Sequence, residues 1–167
     1  CRGLVALPPD HGLYAGVGEA ILERLLPFAP VVEPAGGGLG GLGGFGGAAA
    51  SGRFFLDLTG VTRTASAARD RAARAGREVE EAFGLHPALG LAANKLVSRV
   101  AARVVAPDGD LLDVSCGSEA AFLAPLTTRM LPAARGAAEA ARLDLLNVRR
   151  VRELQALSLA QLARVFG

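Results

Sequence analysis

Apolar positions recur with two different periods along this chain, and the pattern changes character about two thirds of the way through. Residues 4–7 form a short apolar run closed by Pro8-Pro9-Asp10, which predicts a strand and a turn. Tyr14, Val17, Ile21 and Leu25 fall near helical spacing and predict an amphipathic helix over residues 14–28, ended by Pro30. Val31-Val32 starts an extended piece, and the dense apolar run at 54–58 predicts a buried strand that Thr59-Gly60 ends. Ala65, Ala68, Ala72, Val79 and Phe83 then mark one face of a long helix, with Arg69, Arg71, Arg74, Arg77 and Glu80 on the other and Gly84 and Pro87 as its stop. Residues 88–92 read as a second core strand. Asn94 is placed to cap the following helix, where Leu96, Val100 and Val104 point inward and Lys95, Arg99 and Arg103 make a basic stripe at four-residue spacing. Pro107-Asp108-Gly109 is a turn, and residues 111–115 are another strand.

From Ser118 onward strand patterns vanish. Short helices follow, divided at Pro125, Pro132, Gly136 and Asn147. The fold class expected is therefore α/β (α+β): a sheet with flanking helices over residues 1–115, then a small all-helical domain over 116–167. The glycine-rich tract 36–50 loses too much backbone entropy on ordering to form an element by itself and is expected to be a flexible loop.

With 167 residues, 51% hydrophobic and 20% charged, the chain can fill a core. It has no apolar run of membrane-spanning length and no secretory signal, which points away from a membrane and toward the cytoplasm. It opens Cys1-Arg2-Gly3, as a piece of a longer protein would. Cys1 and Cys116, with His11 and His86, lack any metal-ligand spacing, which excludes a disulfide scaffold and a structural zinc domain. Net charge is only +2, yet Lys95 is the single lysine among 18 basic residues. Arginine suits phosphate because its planar fork donates two bonds at once; a GC-rich genome produces the same bias.

The tract Gly38-Leu39-Gly40-Gly41-Leu42-Gly43 matches the dinucleotide fingerprint G-x-G-x-x-G literally. That fingerprint works between a strand and a helix N-terminus, whereas this tract leads into a strand, so a nucleotide fold is not expected. There is no G-x-x-x-x-G-K-[ST], and neither histidine has a nucleophile pattern beside it.

Two segments carry family information. Residues 90–101, G-L-A-A-N-K-L-V-S-R-V-A, followed by A-P-D-G at 106–109, resemble the palm of Y-family (DinB/UmuC-type) translesion DNA polymerases, whose pattern runs G-[IL]-[AS]-x-N-K-x-[LF]-A-[KR]-x-A and then K-P-[DN]-G. E-A-A-F-L-A-P-L at 119–126 is similar to the start of that family's thumb. Residues 143–154 and 159–167 resemble its helix-hairpin-helix repeat, and F-L-D-L-T-G at 55–60 resembles its strand end Y-L-D-[VL]-T-G. Residues 1–14 look like the family's return from the fingers. The resemblance implies a polymerase palm-type sheet followed by a helix-hairpin-helix thumb.

The departures fall on chemistry. Active members read S-[IV]-D-E-A-[YF]-L-D, and the adjacent Asp-Glu holds the metal ions; aligned on Leu56-Asp57, those positions are Gly52 and Arg53. Two-metal phosphoryl transfer needs hard oxygen ligands. Gly52 has none, and Arg53 would repel a divalent cation by about 8 kcal/mol at 4 Å with an effective dielectric of 20. The family's triphosphate-contacting lysine is Ala106. Asp57 remains, but the family does not use that residue as a metal ligand. No catalytic residue and no cofactor are thus expected in this chain, and the resemblance points to the family's inactive, ImuB-like type, an adaptor for a separate polymerase. Lys95, Arg99, Arg103, Arg135, Arg149, Arg150 and Arg152 are the candidate contacts to the DNA backbone of damaged or primer-template DNA, since the family's G-[VI]-G hairpin is degraded here to Pro132-Ala133-Ala134-Arg135-Gly136. The family also implies a sliding clamp as partner and a bacterial, nucleoid-associated setting. Gln161-Leu162 with Val165-Phe166 superficially resembles a clamp-binding peptide, but its place in a helix favours core packing. Two other readings stay open: an active polymerase using Mg²⁺ with ligands from elsewhere in a longer parent, and a protein-interaction module that never touches DNA.

Overall fold

A computed structural model describes residues 5, 8–35, 52–106, 108–109 and 111–166, except for the side chain of Arg135. Of the strand expected at 4–7 only Val5 is described, exposed and outside any strand, and the glycine tract 36–50 lies outside those residues. The chain divides into two compact units, residues 1–85 and 86–167.

In the first unit, α1 (His11–Leu25) starts three residues earlier than its apolar spacing suggests, because the Asp10 carboxylate accepts from Leu13 N at 2.9 Å. Its end is sharpened by Pro27, which has no N–H to continue the α ladder, so the chain tightens into a 3₁₀ turn, Leu26–Phe28. β1 (Val31–Pro34) and β2 (Phe54–Asp57) pair antiparallel, with Val32 opposite Leu56 and Glu33 opposite Phe55. α2 (Ala65–Phe83) is capped by Thr64 and closed by Gly84 at φ 65°. Ile21 and Leu25 of α1 and Ala75 and Val79 of α2 form the core, and Val32, Phe54 and Leu56 pack on it from one face of the hairpin. Ala65 lies outside this stripe and is exposed. Arg71, expected on the solvent face, turns inward: its Nε and Nη2 donate to the carbonyls of Phe28 and Pro27, the latter at 3.1 Å, satisfying the end of the 3₁₀ turn.

In the second unit, β3 (Leu89–Leu91) and β4 (Leu111–Asp113) pair in parallel around α3 (Lys95–Val105). The four strands thus form two separate pairs among the described residues, where one layer was expected. The inward face of α3 is Val97, Val100 and Ala101, with Val100 fully buried; Leu96 and Val104 are exposed. Gly90 explains the rotation. A Cβ there would fall against the backbone oxygen of Ser98 and 2.6 Å from the nitrogen of Ala102, so the helix lies directly on the strand along that edge and Leu96 is turned out. Asn94 accepts from Val97 N at 2.9 Å, as its position suggests.

The packing division does not fall at the expected 115–118 boundary. One cluster joins Val97, Val100 and Ala101 to Val114, Leu123 and Val151, so residues on both sides of that point share a core. α4 (Glu119–Leu123) leads into segment 124–128, which lies antiparallel to 148–152: Thr127 bridges Arg150, Val151 N donates to Leu126 O at 2.9 Å, and Arg152 N to Ala124 O at 3.0 Å. α5 (Ala137–Leu145), α6 (Val151–Gln155) and α7 (Leu159–Phe166) enclose a smaller cluster of Ala134, Leu143 and Val148, against which Leu154 and Phe166 pack. Phe166 is therefore a packing residue. No described helix is long and apolar enough to cross a membrane.

Candidate metal and nucleic-acid sites

The strand that would carry metal carboxylates is β2. Its inner residues Phe54 and Leu56 face the α1–α2 core, so Arg53, Phe55 and Asp57 share the other face with Val31 and Glu33 of β1. Arg53 prolongs the pairing, its carbonyl accepting from Ala35 N at 2.7 Å, and its side chain is exposed. At Gly52 the backbone turns to φ 62°, leaving the extended form. The position aligned with a metal-binding aspartate thus has no side chain and stands in left-handed backbone that L-residues adopt only at a cost. Asp57 closes the strand by accepting from Thr59 N at 2.9 Å. Among the described residues no three Asp, Glu, His or Cys side chains gather to hold an ion. Gly52 and Arg53 offer no oxygen ligand to a two-metal centre. Ala106 caps the end of α3 and carries no cation.

The candidate phosphate contacts separate into kinds. Lys95 begins α3 and is exposed, Arg99 is half-buried, and both already interact within the protein. Arg103 donates from Nη1 to the Arg129 carbonyl at 2.7 Å, while Arg129 Nη2 pairs with Asp144 at 3.0 Å. This chain of contacts ties α3 to α5. Arg150 donates from Nη1 to Pro125 O at 2.7 Å, clamping the 124–128 segment. Arg149 and Arg152 are exposed, and among the described residues neither guanidinium makes a hydrogen bond. Arg135 ends a 3₁₀ turn, Pro132–Arg135.

Asn147 follows the end of α5 at φ 53°, a left-handed position that asparagine tolerates, at the division expected from the sequence. Two features of this region were not anticipated from the sequence. Thr128 is buried and its hydroxyl reaches the Val148 and Arg149 carbonyls, each at 3.4 Å. Glu153 accepts from the amides of Arg149 and Arg150 at 2.7 and 3.0 Å, and an acid three residues after a helix start is the sequence signal that marks it. Those amides, Arg150's first, hold its carboxyl below the ordinary carboxylate value, with the neighbouring arginines adding to them. A depressed folded value means stabilisation that is present above the unfolded pKa and lost as pH falls through the folded one. Glu153→Gln should therefore melt earlier than the unaltered protein at pH 7, and thermal melts should show the gap closing below about pH 4.

A family model described as impB/mucB/samB matches residues 47–103. DNA polymerase IV of Streptomyces coelicolor is 30% identical over 128 residues, covering 75% of this chain and 24% of that protein. DNA polymerase IV of Desulfatibacillum aliphaticivorans is 28% identical over 171 residues, covering 100% of this chain and 38% of that protein. Among solved structures, DinB from Sulfolobus solfataricus superposes with a TM-score of 0.74 at 20% identity, over 98% of this chain and 43% of that one. An insertion ternary complex of Dbh DNA polymerase gives 0.75 at 20% identity, over 98% and 43%. The chain spans less than half the length of these relatives. At such identities the structural likeness is one of fold.

Proposed function

Since this chain belongs to the Y family of DNA polymerase-like proteins, the impB/mucB/samB group, we propose that it comes from a non-catalytic member that serves DNA repair and translesion synthesis as a DNA-binding scaffold or adaptor. One observation supports the reading: aligned on Leu56-Asp57, Gly52 and Arg53 fall where the resemblance puts the family's acid pair, just before β2, and both are exposed. A cation at that point repels the ions the reaction needs. The part of the fold that this chain spans is kept, which suits a protein that still meets primer-template DNA while another polymerase performs the synthesis. Arg149 and Arg152 are the foremost backbone contacts, with Lys95 and Arg99 as further ones; Arg103 and Arg150 act chiefly by holding the unit together. The sliding clamp and the separate polymerase are the protein partners this role requires, in the cytoplasm at the nucleoid.

The chain should bind a fluorescent primer-template duplex in anisotropy titrations at 50 mM salt with a dissociation constant on the order of 1–100 μM. Raising salt to 200 mM should weaken binding by about tenfold or more, with no preference among sequences. Absence of binding at low salt would favour a protein-interaction module instead.

A further inference from the structure

The turn between α5 and α6 presents a surface that packing does not explain. Asn147 N donates to Asp144 O at 3.0 Å and Val148 N to Leu143 O at 2.9 Å, the paired bonds that lock a helix end around a left-handed residue. Leu143 and Val148 turn into the smaller cluster, so the locked backbone holds Leu145, Leu146 and Asn147 outward. Leu145 is 87% exposed and Leu146 46%. The side-chain amide of Asn147 makes no hydrogen bond among the described residues. Arg142 stands one helical turn before the leucines, and Arg149 follows two residues after Asn147. Both are exposed, and among the described residues neither guanidinium makes a hydrogen bond or ion pair. The two acids of this stretch are committed elsewhere: Asp144 to Arg129 at 3.0 Å, and Glu153 to the amides of Arg149 and Arg150.

Free guanidiniums and a free amide match a polyanion that also offers acceptor edges, and a rigid apolar tip matches sugar walls and base faces. The minor groove of duplex DNA carries all of these. An apolar wedge entering there separates stacked bases, which costs least where the stack is already broken. We propose that Leu145 and Leu146 are a wedge for the minor groove at a break in the base stack, such as a single-nucleotide gap, with Arg142 and Arg149 on the flanking phosphates. The wedge presupposes the DNA binding proposed above and adds to it a preferred form of DNA, not a preferred sequence.

Anisotropy titrations of the whole chain at about 50 mM salt test this with two duplexes of the same sequence, both closed by hairpin loops, one continuous and one with a central single-nucleotide gap. The gapped duplex should bind about fivefold tighter or more, and 2-aminopurine beside the gap should brighten on binding as its neighbour unstacks. Leu145→Ser with Leu146→Ser should bring both duplexes to the affinity of the continuous one and remove the brightening, with the salt slope and melting temperature unchanged. Leu145→Met with Leu146→Met should keep the preference, because methionine is also an apolar wedge. Arg142→Ala should weaken both duplexes about threefold and lower the slope of log affinity against log salt by about 1. No binding of either duplex would overturn the DNA reading and the wedge with it. Equal affinity for both duplexes, a preference kept by the folded serine variant, or a preference lost in the methionine variant would overturn the wedge alone.

Discussion

Replacing Gly90 with alanine should lower the melting temperature by more than about 10 °C, corresponding to about 3 kcal/mol or more in a unit of this size. The added Cβ meets the Ser98 oxygen and the Ala102 nitrogen, both backbone atoms of α3. No rotamer change can relieve that contact. The helix must instead lift from β3, which pulls Val97, Val100 and Ala101 out of the largest cluster and disturbs Val114, Leu123 and Val151 with them. Gly16→Ala is the matched control. Gly16 lies inside α1 with nothing within 4 Å of a built Cβ, so alanine there should leave the protein as stable or stabilise it by about 0.5–1 kcal/mol. Differential scanning calorimetry distinguishes the two, and an unchanged transition for Gly90→Ala would show that the helix does not rest on the strand as described.

The second large effect concerns DNA. Arg149→Ala with Arg152→Ala should weaken duplex binding about tenfold at 50 mM salt and reduce the slope of log affinity against log salt by about 2, while leaving the melting temperature within about 2 °C. Both side chains are exposed and neither supports the fold through a hydrogen bond among the described residues. Arg150→Ala should do the reverse. Losing the bond to Pro125 O costs about 0.5–1 kcal/mol of stability and changes the salt slope little. The comparison is informative because the three residues stand within four positions of one another and look alike as a basic run. Equal loss of affinity in both variants would mean that the run acts as an undivided charge cluster.

Most elements were legible because their signals are local. Asn94 before an apolar-periodic stretch, Gly84 and Pro87 after one, and the dense run at 54–58 each mark a boundary through their own backbone chemistry. What was not legible depends on partners distant in sequence. The inward face of α3 is selected by Gly90, so periodicity alone chose Leu96 and Val104 wrongly. Arg71 read as a solvent-face charge and Arg103 and Arg150 as candidate DNA contacts, but each spends a donor on a carbonyl 25 to 44 residues away in the chain, as at Pro27, Arg129 and Pro125. The expected boundary near 115 followed a real change in composition, yet Val114 and Val151 meet in one core.

The site was legible chiefly as a contrast. Residues that match the family pattern are those that build the scaffold: Gly90 by close approach, Asn94 by capping, and Ala124 and Leu126 by accepting from the strand-like 148–152 segment. Those that depart from it, Gly52, Arg53 and Ala106, fall where the resemblance places the family's acids and triphosphate-contacting lysine. The proposed scaffold role rests on that contrast.

Primer extension by the full-length protein containing this chain tests that conclusion most directly. With a primed template, all four nucleotides and Mg²⁺ or Mn²⁺, and enzyme in excess over DNA, no product above a protein-free control is expected over an hour. Product that accumulates in step with enzyme concentration, and persists in a preparation free of other polymerases, would contradict the account.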